Sequence, residues 1–200
     1  LEEGITELVD NAVDAGANHI GISLHTGGIF GERTLVIADD GVGIPESVPG
    51  KDLTSTVQHV LRFGGKIPHH GRAIPIGKYG FGLSQTAAGL SLRTDVSSKV
   101  EGGQWRTCSY DLEQLRADRG YLPPEQSQGP NSTLVHERYH NPASGTVVCL
   151  HLKSDLEVGE FDDSFVERMH AKLGRIYRTA IASGLTIHID VDGKNDSEVN

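Results

Sequence analysis

The beginning of the chain changes abruptly from a helical to a strand-like spacing of apolar residues. From Ile5 to Ala15 the apolar residues recur at helical spacing, and Gly16 stands where a left-handed residue commonly ends a helix. From His19 to Leu24 they alternate, and after a Gly-rich turn the chain returns through the apolar run Thr34 to Ala38. This pattern predicts a helix followed by a β-hairpin.

The rest of the chain continues this mixture of helices and strands. Leu83 to Leu90 has a helical pattern, and further strands are predicted at Ser91 to Ser97, Gln104 to Tyr110, Thr146 to Leu152 and Leu185 to Val191. Asp163 or Ser164 can cap a long helix with the apolar stripe Phe165, Met169, Leu173, Ile176 and Ala180. We therefore expect a two-layer α+β sandwich, with helices on one face of a mostly antiparallel sheet.

The organisation along the chain predicts one main domain over residues 1–160, with residues 161–200 completing it or leading into a following domain. Residues 46–76 are rich in Pro and Gly and contain one short helical patch, from Leu53 to Phe63. We interpret them as part of a lid over a site, extending over about 46–82. Arg116 to Asn131 is expected to be an exposed polar excursion. The opening Leu1-Glu2-Glu3 already has a helical pattern, so we expect the domain's N-terminus to be truncated.

The charge and composition of the chain argue against several classes of function. The net charge of −9 argues against a DNA-binding face on this segment taken alone. No run approaches the roughly 18 apolar residues of a membrane span. Cys108 and Cys149 form no C-x-x-C pair, which favours a reducing compartment, cytoplasmic or, in a eukaryote, nuclear. The adjacent His69 and His70 are interpreted as part of a solvated loop rather than a metal site, because no further ligands stand at suitable spacing.

The first predicted helix carries a polar face. Glu7, Asn11 and Asp14 are spaced at i, i+4 and i+7, so they share one side. A carboxylate there can accept a proton from water, and an amide oxygen can coordinate a hard cation such as Mg²⁺. Taken alone, the same residues also fit an ordinary solvent-exposed helix face.

Two glycine-rich segments follow. Asp39 ends a strand and is followed by Gly41 and Gly43, an arrangement that can accept a hydrogen bond from an exocyclic amine such as that of adenine, although a plain Asp-Gly turn is the alternative. Lys78, Gly80 and Gly82 precede a predicted helix, whose N-terminus favours phosphate, although a structural turn is again possible. This second segment is not a Walker A loop, because Lys78 is followed by Tyr79.

Together and in this order the segments resemble the GHKL (Bergerat-fold) ATPase superfamily. Glu7 to Ala17 (ELVDNAVDAGA) is similar to its first motif, in the form found in MutL and microrchidia (MORC) proteins. Asp39 to Gly43 resembles the second motif, D-x-G-x-G, and Gly77 to Gly82 the third, G-x-x-G-x-G. Ser144 to Leu152 is similar to the fourth, a Gly-Thr that opens a strand beside the adenine pocket. The heat-shock chaperones of the ninety-kilodalton class share the same motifs.

The resemblance implies the Bergerat ATP-binding fold with ATP and Mg²⁺ as cofactors. Glu7 would be the general base, Asn11 the magnesium ligand, and Asp39 the acceptor for the adenine amine, supported by Thr146. The full set of implied nucleotide-site residues is Asn11, Asp14, Asp39, Gly41, Gly43, Lys78, Gly80, Gly82 and Thr146. Asp40 departs from the pattern, because MutL-like proteins usually have Asn there, and its charge is expected to weaken nucleotide binding slightly.

The function implied is ATP hydrolysis that drives lid closure and homodimerisation of a larger protein, in DNA repair, chromatin or defence; nucleic acid binding receives no support from the charge. Two alternatives stay open: a protein kinase of the same fold, and an ATP-binding switch without turnover. Sensor histidine kinases usually lack a residue like Glu7, and kinases of the branched-chain dehydrogenase type carry a basic residue in place of Asp14. Both details favour hydrolysis over protein phosphorylation.

In the family, a Lys or Arg from a following, transducer-like domain normally completes the γ-phosphate site. We therefore expect the isolated segment to bind ATP weakly and to hydrolyse it slowly.

Overall fold

A computed structural model describes residues 1–27, 33–47, 55–62, 82–117, 123–139, 142–156, 161–193 and 197–200. Its strands form one sheet in the order β4-β3-β5-β2-β1-β6-β7. Their bounds are β1 His19–His25, β2 Thr34–Asp39, β3 Ser91–Lys99, β4 Arg106–Asp111, β5 Gly145–Leu152, β6 Thr186–Val191 and β7 Ser197–Glu198. Neighbouring strands are antiparallel except β1 and β6, which are parallel, so the predicted α+β class is confirmed.

The helices pack against one face of this sheet, which we call the helix face. They are α1 Glu2–Asp14, α2 Thr56–Leu61, α3 Gly82–Leu90, α4 Leu112–Ala117 and α5 Asp163–Ala182. The long α5 begins after Asp162, whose carboxylate accepts a hydrogen bond from the Phe165 amide and satisfies one of the free N–H groups of the first turn. Within the described residues, no helix combines the length and apolar character needed to cross a bilayer.

The main core lies between the helices and the alternate strand residues that point toward them. Ile20, Ile22 and Leu24 of β1 are almost completely buried, as their alternation predicts. They join the apolar stripes of α1 and α5 in one continuous cluster. This core fixes α1 against the centre of the sheet, and thereby fixes the side of α1 that remains polar.

The opposite face, which we call the outer face, is partly covered by the irregular segment 126–139. Val135 and Tyr139 of this segment pack on the outward residues Val36, Ala38 and others in a second, smaller apolar cluster. The segment also forms a bridge between Gln126 and Thr107 of β4. Although most of its described side chains are exposed, its backbone is therefore held against the sheet.

The long helix corrects two details of the sequence prediction. Its N-cap is Asp162, because that carboxylate reaches the Phe165 amide, and not the expected Asp163 or Ser164. Ile176, which we expected in the buried stripe, is 45% exposed, and Tyr177 occupies the buried position instead. The buried residues are spaced four apart, at Phe165, Met169, Leu173 and Tyr177. Both spacings fit a helix, and packing against α1 selects the row that includes Tyr177. The short α4 and β7 were not predicted.

Tyr177 connects α5 to the helix that carries the polar face. Its hydroxyl donates a hydrogen bond of 2.6 Å to Asp10 Oδ1 and also lies 3.2 Å from the carbonyl oxygen of Thr6. Burial raises the pKa of Asp10, while the bond from Tyr177 opposes that shift. The Tyr177 hydroxyl therefore supports a half-buried carboxylate on α1.

Replacing Tyr177 with Phe should lower the free energy of unfolding by about 1–2 kcal/mol, because it leaves Asp10 without its buried donor. The measurement is urea denaturation near neutral pH. Tyr110→Phe is the matched control, because this tyrosine is also buried and, within the described part of the chain, its hydroxyl makes no hydrogen bond. Equal losses in the two variants would show that the Asp10 contact contributes nothing measurable.

Candidate active site

The first and third sequence motifs meet at the start of α3. Glu7 lies on the polar side of α1, and Gly82 is the first residue of α3. A Cβ atom at position 82 would lie 2.7 Å from Glu7 Oε2, so a larger residue there would have to displace this carboxylate. The carboxylate of Glu7 therefore lies beside the start of α3, where the sequence predicts a terminal phosphate.

Asn11 lies one turn after Glu7 on the same helix and is partly exposed. Among the described residues, no hydrogen bond engages its side-chain amide. An amide oxygen with no competing protein donor is a suitable ligand for Mg²⁺, so the residues present fit the expected ion. Asp14, at the end of α1, is completely buried.

Asp39 occupies the last position of β2 on the helix face, and it is 7% exposed. Its Oδ1 accepts a 2.9 Å hydrogen bond from the Gly41 amide, and the backbone amide of Thr146 also donates to the carboxylate. Burial raises the pKa of Asp39 to about 7, because these two bonds offset only part of the desolvation. A buried carboxyl with such a pKa is typical of a functional site.

The two glycines of the second motif are required by different neighbours. At Gly41 a Cβ would lie 2.8 Å from both the Cβ and the carbonyl oxygen of Ala15, just beyond α1. The amide of Val42 also donates to that oxygen at 3.0 Å. Gly43 has a positive φ of 73°, and a Cβ there would lie 2.2 Å from the carbonyl oxygen of Lys99. The loop that follows β2 therefore packs tightly between the end of α1 and the end of β3.

One row of neighbouring residues crosses the sheet beneath this loop. Asp39 pairs with Thr146 of β5, and Thr146 pairs with Ser98 of β3. The hydroxyls of Ser98 and Thr146 lie 3.0 Å apart, and Ser98 Oγ accepts a 2.8 Å bond from the Ile44 amide. We call Asp39, Thr146 and Ser98 the polar row. Ser98 is buried, and the sequence analysis did not predict it. Its only sequence signal is a pair of adjacent serines at the end of a strand, which is not distinctive.

Arg106 of β4 is a second residue that was not predicted. It pairs with Ser98 in the next strand, and its guanidinium donates to the carbonyl oxygen of Ile44 and to Thr56 Oγ1. It therefore ties the end of the second motif to α2. Its sequence signal is weak, because an arginine at the start of a strand has no distinctive spacing.

Asp40, the departure from the family pattern, has a backbone role. Its Oδ1 accepts hydrogen bonds of 2.8 Å from the amides of Asn18 and His19, at the beginning of β1. Its charge nevertheless acts on the neighbouring carboxyl, because it contributes to the raised pKa of Asp39. Asn could keep one acceptor in this position while removing that charge.

The structure brings together five of the predicted positions directly: Glu7 with Gly82, and Asp39 with Gly41 and Thr146. Lys78, Gly80 and most of the predicted lid lie outside the described residues, as do His69 and His70. Gly145, before Thr146, has φ 153°, and a Cβ there would lie 2.1 Å from the carbonyl oxygen of Asp39. The roles assigned to single residues stay predictions.

Comparison with known proteins gives curated relatives over part of the chain. It is 35% identical over 107 residues to the DNA mismatch repair protein MutL of Thermus aquaticus, which covers 52% of this chain and 18% of the relative. It is 50% identical over 46 residues to MutL of Caulobacter vibrioides, covering 22% of this chain and 7% of the relative. The chain thus spans less than a fifth of the length of either relative.

A family profile covers more of the chain than these relatives do. The profile described as histidine kinase-, DNA gyrase B-, and HSP90-like ATPase matches residues 1–146. The match includes all of α1, the second motif and the beginning of β5. With its mostly antiparallel sheet, its helices on one face and its first and third motifs side by side, the chain belongs to this GHKL ATPase family.

Proposed function

We propose that the chain binds ATP with Mg²⁺ and hydrolyses it, as the nucleotide domain of a larger MutL-like protein. Lid closure and homodimerisation would follow from nucleotide binding. The observation that carries the proposal is the contact between Glu7 and Gly82, which puts a carboxylate beside the start of α3. An anion held at a helix N-terminus would have its terminal phosphate near that carboxylate.

The chemistry assigned to this chain's residues is mostly positioning. Glu7 would orient a water molecule and accept its proton, and Asn11 would hold the cation through its amide oxygen. Mg²⁺, when bound, supplies charge neutralisation on the phosphate oxygens. The buried Asp39 would accept the adenine amine, while the amides of Gly41 and Thr146 hold that carboxylate in place. Gly82 and the first amides of α3 would face the phosphates.

The biological setting is proposed from the relatives. Both carry the name DNA mismatch repair protein, which favours a role in DNA repair over the chromatin and defence roles also considered. Direct binding of nucleic acid by this segment has no support in its net charge of −9. The domain that completes the γ-phosphate site would follow this segment.

The experiment is a turnover assay on the intact protein with γ-labelled ATP, in Mg²⁺ and in excess chelator. We expect free labelled phosphate, produced only with Mg²⁺, and a shift from monomer to dimer with a non-hydrolysable ATP analogue. Label retained on protein would instead indicate a kinase. Binding and dimerisation without phosphate release would indicate a switch module, and no binding at all would refute the proposal.

Nucleotide binding should release protons near neutral pH. The pKa of Asp39 is about 7, so at pH 7 roughly half of the free protein carries a proton on this carboxyl. A carboxylate that accepts the adenine amine must be ionised, so binding should release about half a proton at pH 7. The release should increase toward pH 6 and vanish toward pH 8.5, and affinity should rise with pH over that range. The number of protons released can be measured by calorimetry of Mg-ADP binding in two buffers with different ionisation enthalpies.

Asp40→Asn is the matched control for this prediction. It removes the neighbouring charge that helps to raise the pKa of Asp39, so the proton release should persist but move to lower pH. The same variant should bind nucleotide slightly more tightly, because it restores the usual residue and removes a negative charge. If neither protein releases protons between pH 6 and 8, Asp39 is not the group that titrates on binding.

A further inference from the structure

A second group of chemically reactive side chains lies on the outer face, away from the polar row. It consists of Asp95 on β3 and of Cys149 and His151 on β5, which we call the outer-face cluster. One ligand atom from each of the three lies within 4.8 Å of the others. We propose that the outer-face cluster binds a divalent transition metal of the zinc type.

Strand register brings these residues together. Asp95 lies directly opposite Cys149 in the β3–β5 pair, and His151 is two residues further along β5, so all three point to the same face. Ser109 of β4 lies opposite Asp95 on the other side. The two ligand-bearing strands, β3 and β5, are each hydrogen-bonded on both sides, so the ligands are held on a rigid part of the sheet.

The spacing of the ligand atoms fits a tetrahedral metal. His151 Nε2 lies 3.4 Å from Asp95 Oδ2 and 3.8 Å from Cys149 Sγ. Zinc bonds of about 2.0–2.1 Å to nitrogen and oxygen and about 2.3 Å to sulfur place such ligands roughly 3.4 Å and 3.6 Å apart. Small side-chain adjustments would therefore complete the geometry. A mixed sulfur, nitrogen and oxygen set favours zinc or cobalt over magnesium or calcium.

The carboxylate is already oriented for this task. Asp95 Oδ1 accepts a 2.6 Å bond from Ser109 Oγ and a 3.0 Å bond from Arg93, so a metal that binds Oδ2 and His151 Nε2 would replace only the 3.4 Å contact between those two atoms. Ser109 and Arg93 therefore act as the outer partners that such ligands usually have.

The cluster opens into a cavity of about 330 Å³ between the sheet and the segment 126–139. Ser97, Thr107 and Gln128 line its other walls. Three protein ligands leave a fourth coordination position, and the cavity gives room for water or a small ligand there. The site would thus resemble an open metal centre more than a closed structural one.

Cys149 supplies a specific signature. It is buried, and it is the sulfur ligand of the outer-face cluster. A cobalt-bound thiolate gives a charge-transfer band that carboxylate and imidazole ligands alone cannot produce.

The test is a Co²⁺ titration of the reduced, chelator-treated intact protein, followed by displacement with Zn²⁺. We expect one equivalent to produce the thiolate band and Zn²⁺ to raise the melting temperature. Cys149→Ser should lose the band. His151→Gln, at a partly exposed position, should weaken Co²⁺ binding by more than the roughly 10- to 100-fold that is typical of changes to outer partners. If the Cys149→Ser variant does not fold, the His151→Gln variant tests the proposal by itself.

Cys108→Ser is the matched control, because Cys108 is the other buried cysteine and belongs to the core on the helix face. It should retain the band and the affinity of the parent protein. The proposal is overturned if no thiolate band forms, if the band survives Cys149→Ser, or if His151→Gln binds as tightly as the parent. The nucleotide assay is independent of these outcomes.

Discussion

Replacing Glu7 with Gln should lower the turnover number for ATP by roughly 10²- to 10⁴-fold, the usual contribution of a general base. Gln has nearly the same shape, so the close contact with Gly82 is retained, but its amide cannot accept a proton from water. Nucleotide affinity should change little. The measurements are steady-state phosphate release and a separate binding titration in the intact protein.

Glu3→Gln is the matched control for this variant. Glu3 is on the same helix, one turn earlier, and its exposed carboxylate pairs with Lys172 at 2.6 Å rather than facing α3. Its turnover should stay close to that of the parent. If Glu7→Gln keeps full turnover, another residue activates the water and the proposed base is wrong.

Replacing Gly43 with Ala should destabilise the protein by about 2–5 kcal/mol. A left-handed backbone costs a residue with a side chain about 1–2 kcal/mol, and forcing a methyl group into a filled space costs about 1–3 kcal/mol more. Here the atom in the way is the backbone oxygen of Lys99, 2.2 Å from the new Cβ, so no side-chain rotation relieves the clash. At roughly 2–4 °C per kcal/mol the loss should be plain in a melting curve.

Gly102→Ala separates the two causes. Gly102 has nearly the same positive φ, 71°, but a Cβ there meets nothing within 4 Å. It should therefore cost only the about 1–2 kcal/mol of backbone strain. Equal losses at the two positions would mean that the loop moves away from β3 at little cost, and that the second motif is less firmly held than described.

The parts of this site that the sequence predicted are those encoded by local spacing. Glu7 and Asn11 share a helix face because they are four residues apart, and Asp39 ends a strand whose apolar run is visible in the sequence. Each of these predictions needs only a short stretch of chain. The spacing of the apolar residues predicted the fold class, and the motifs indicated the family.

The parts that were missed depend on contacts between distant residues. Ser98 matters because strand register puts it beside Thr146, and Arg106 because it reaches the loop after β2. Tyr177 bonds to Asp10 across 167 residues, and only that packing distinguishes it from the adjacent Ile176. No spacing rule within one segment contains this information. The outer-face cluster likewise exists only after β3 and β5 are paired.

The polar row has a consequence for how such a chain can change length. Successive residues of a strand point to opposite faces, so adding or deleting one residue inside β2, β3 or β5 would turn Asp39, Ser98 or Thr146 toward the opposite side of the sheet. The same event would exchange those residues with their outer-face neighbours. Insertions and deletions among related sequences should therefore be confined to the connections between the strands. The number of residues in each of these strands should stay constant.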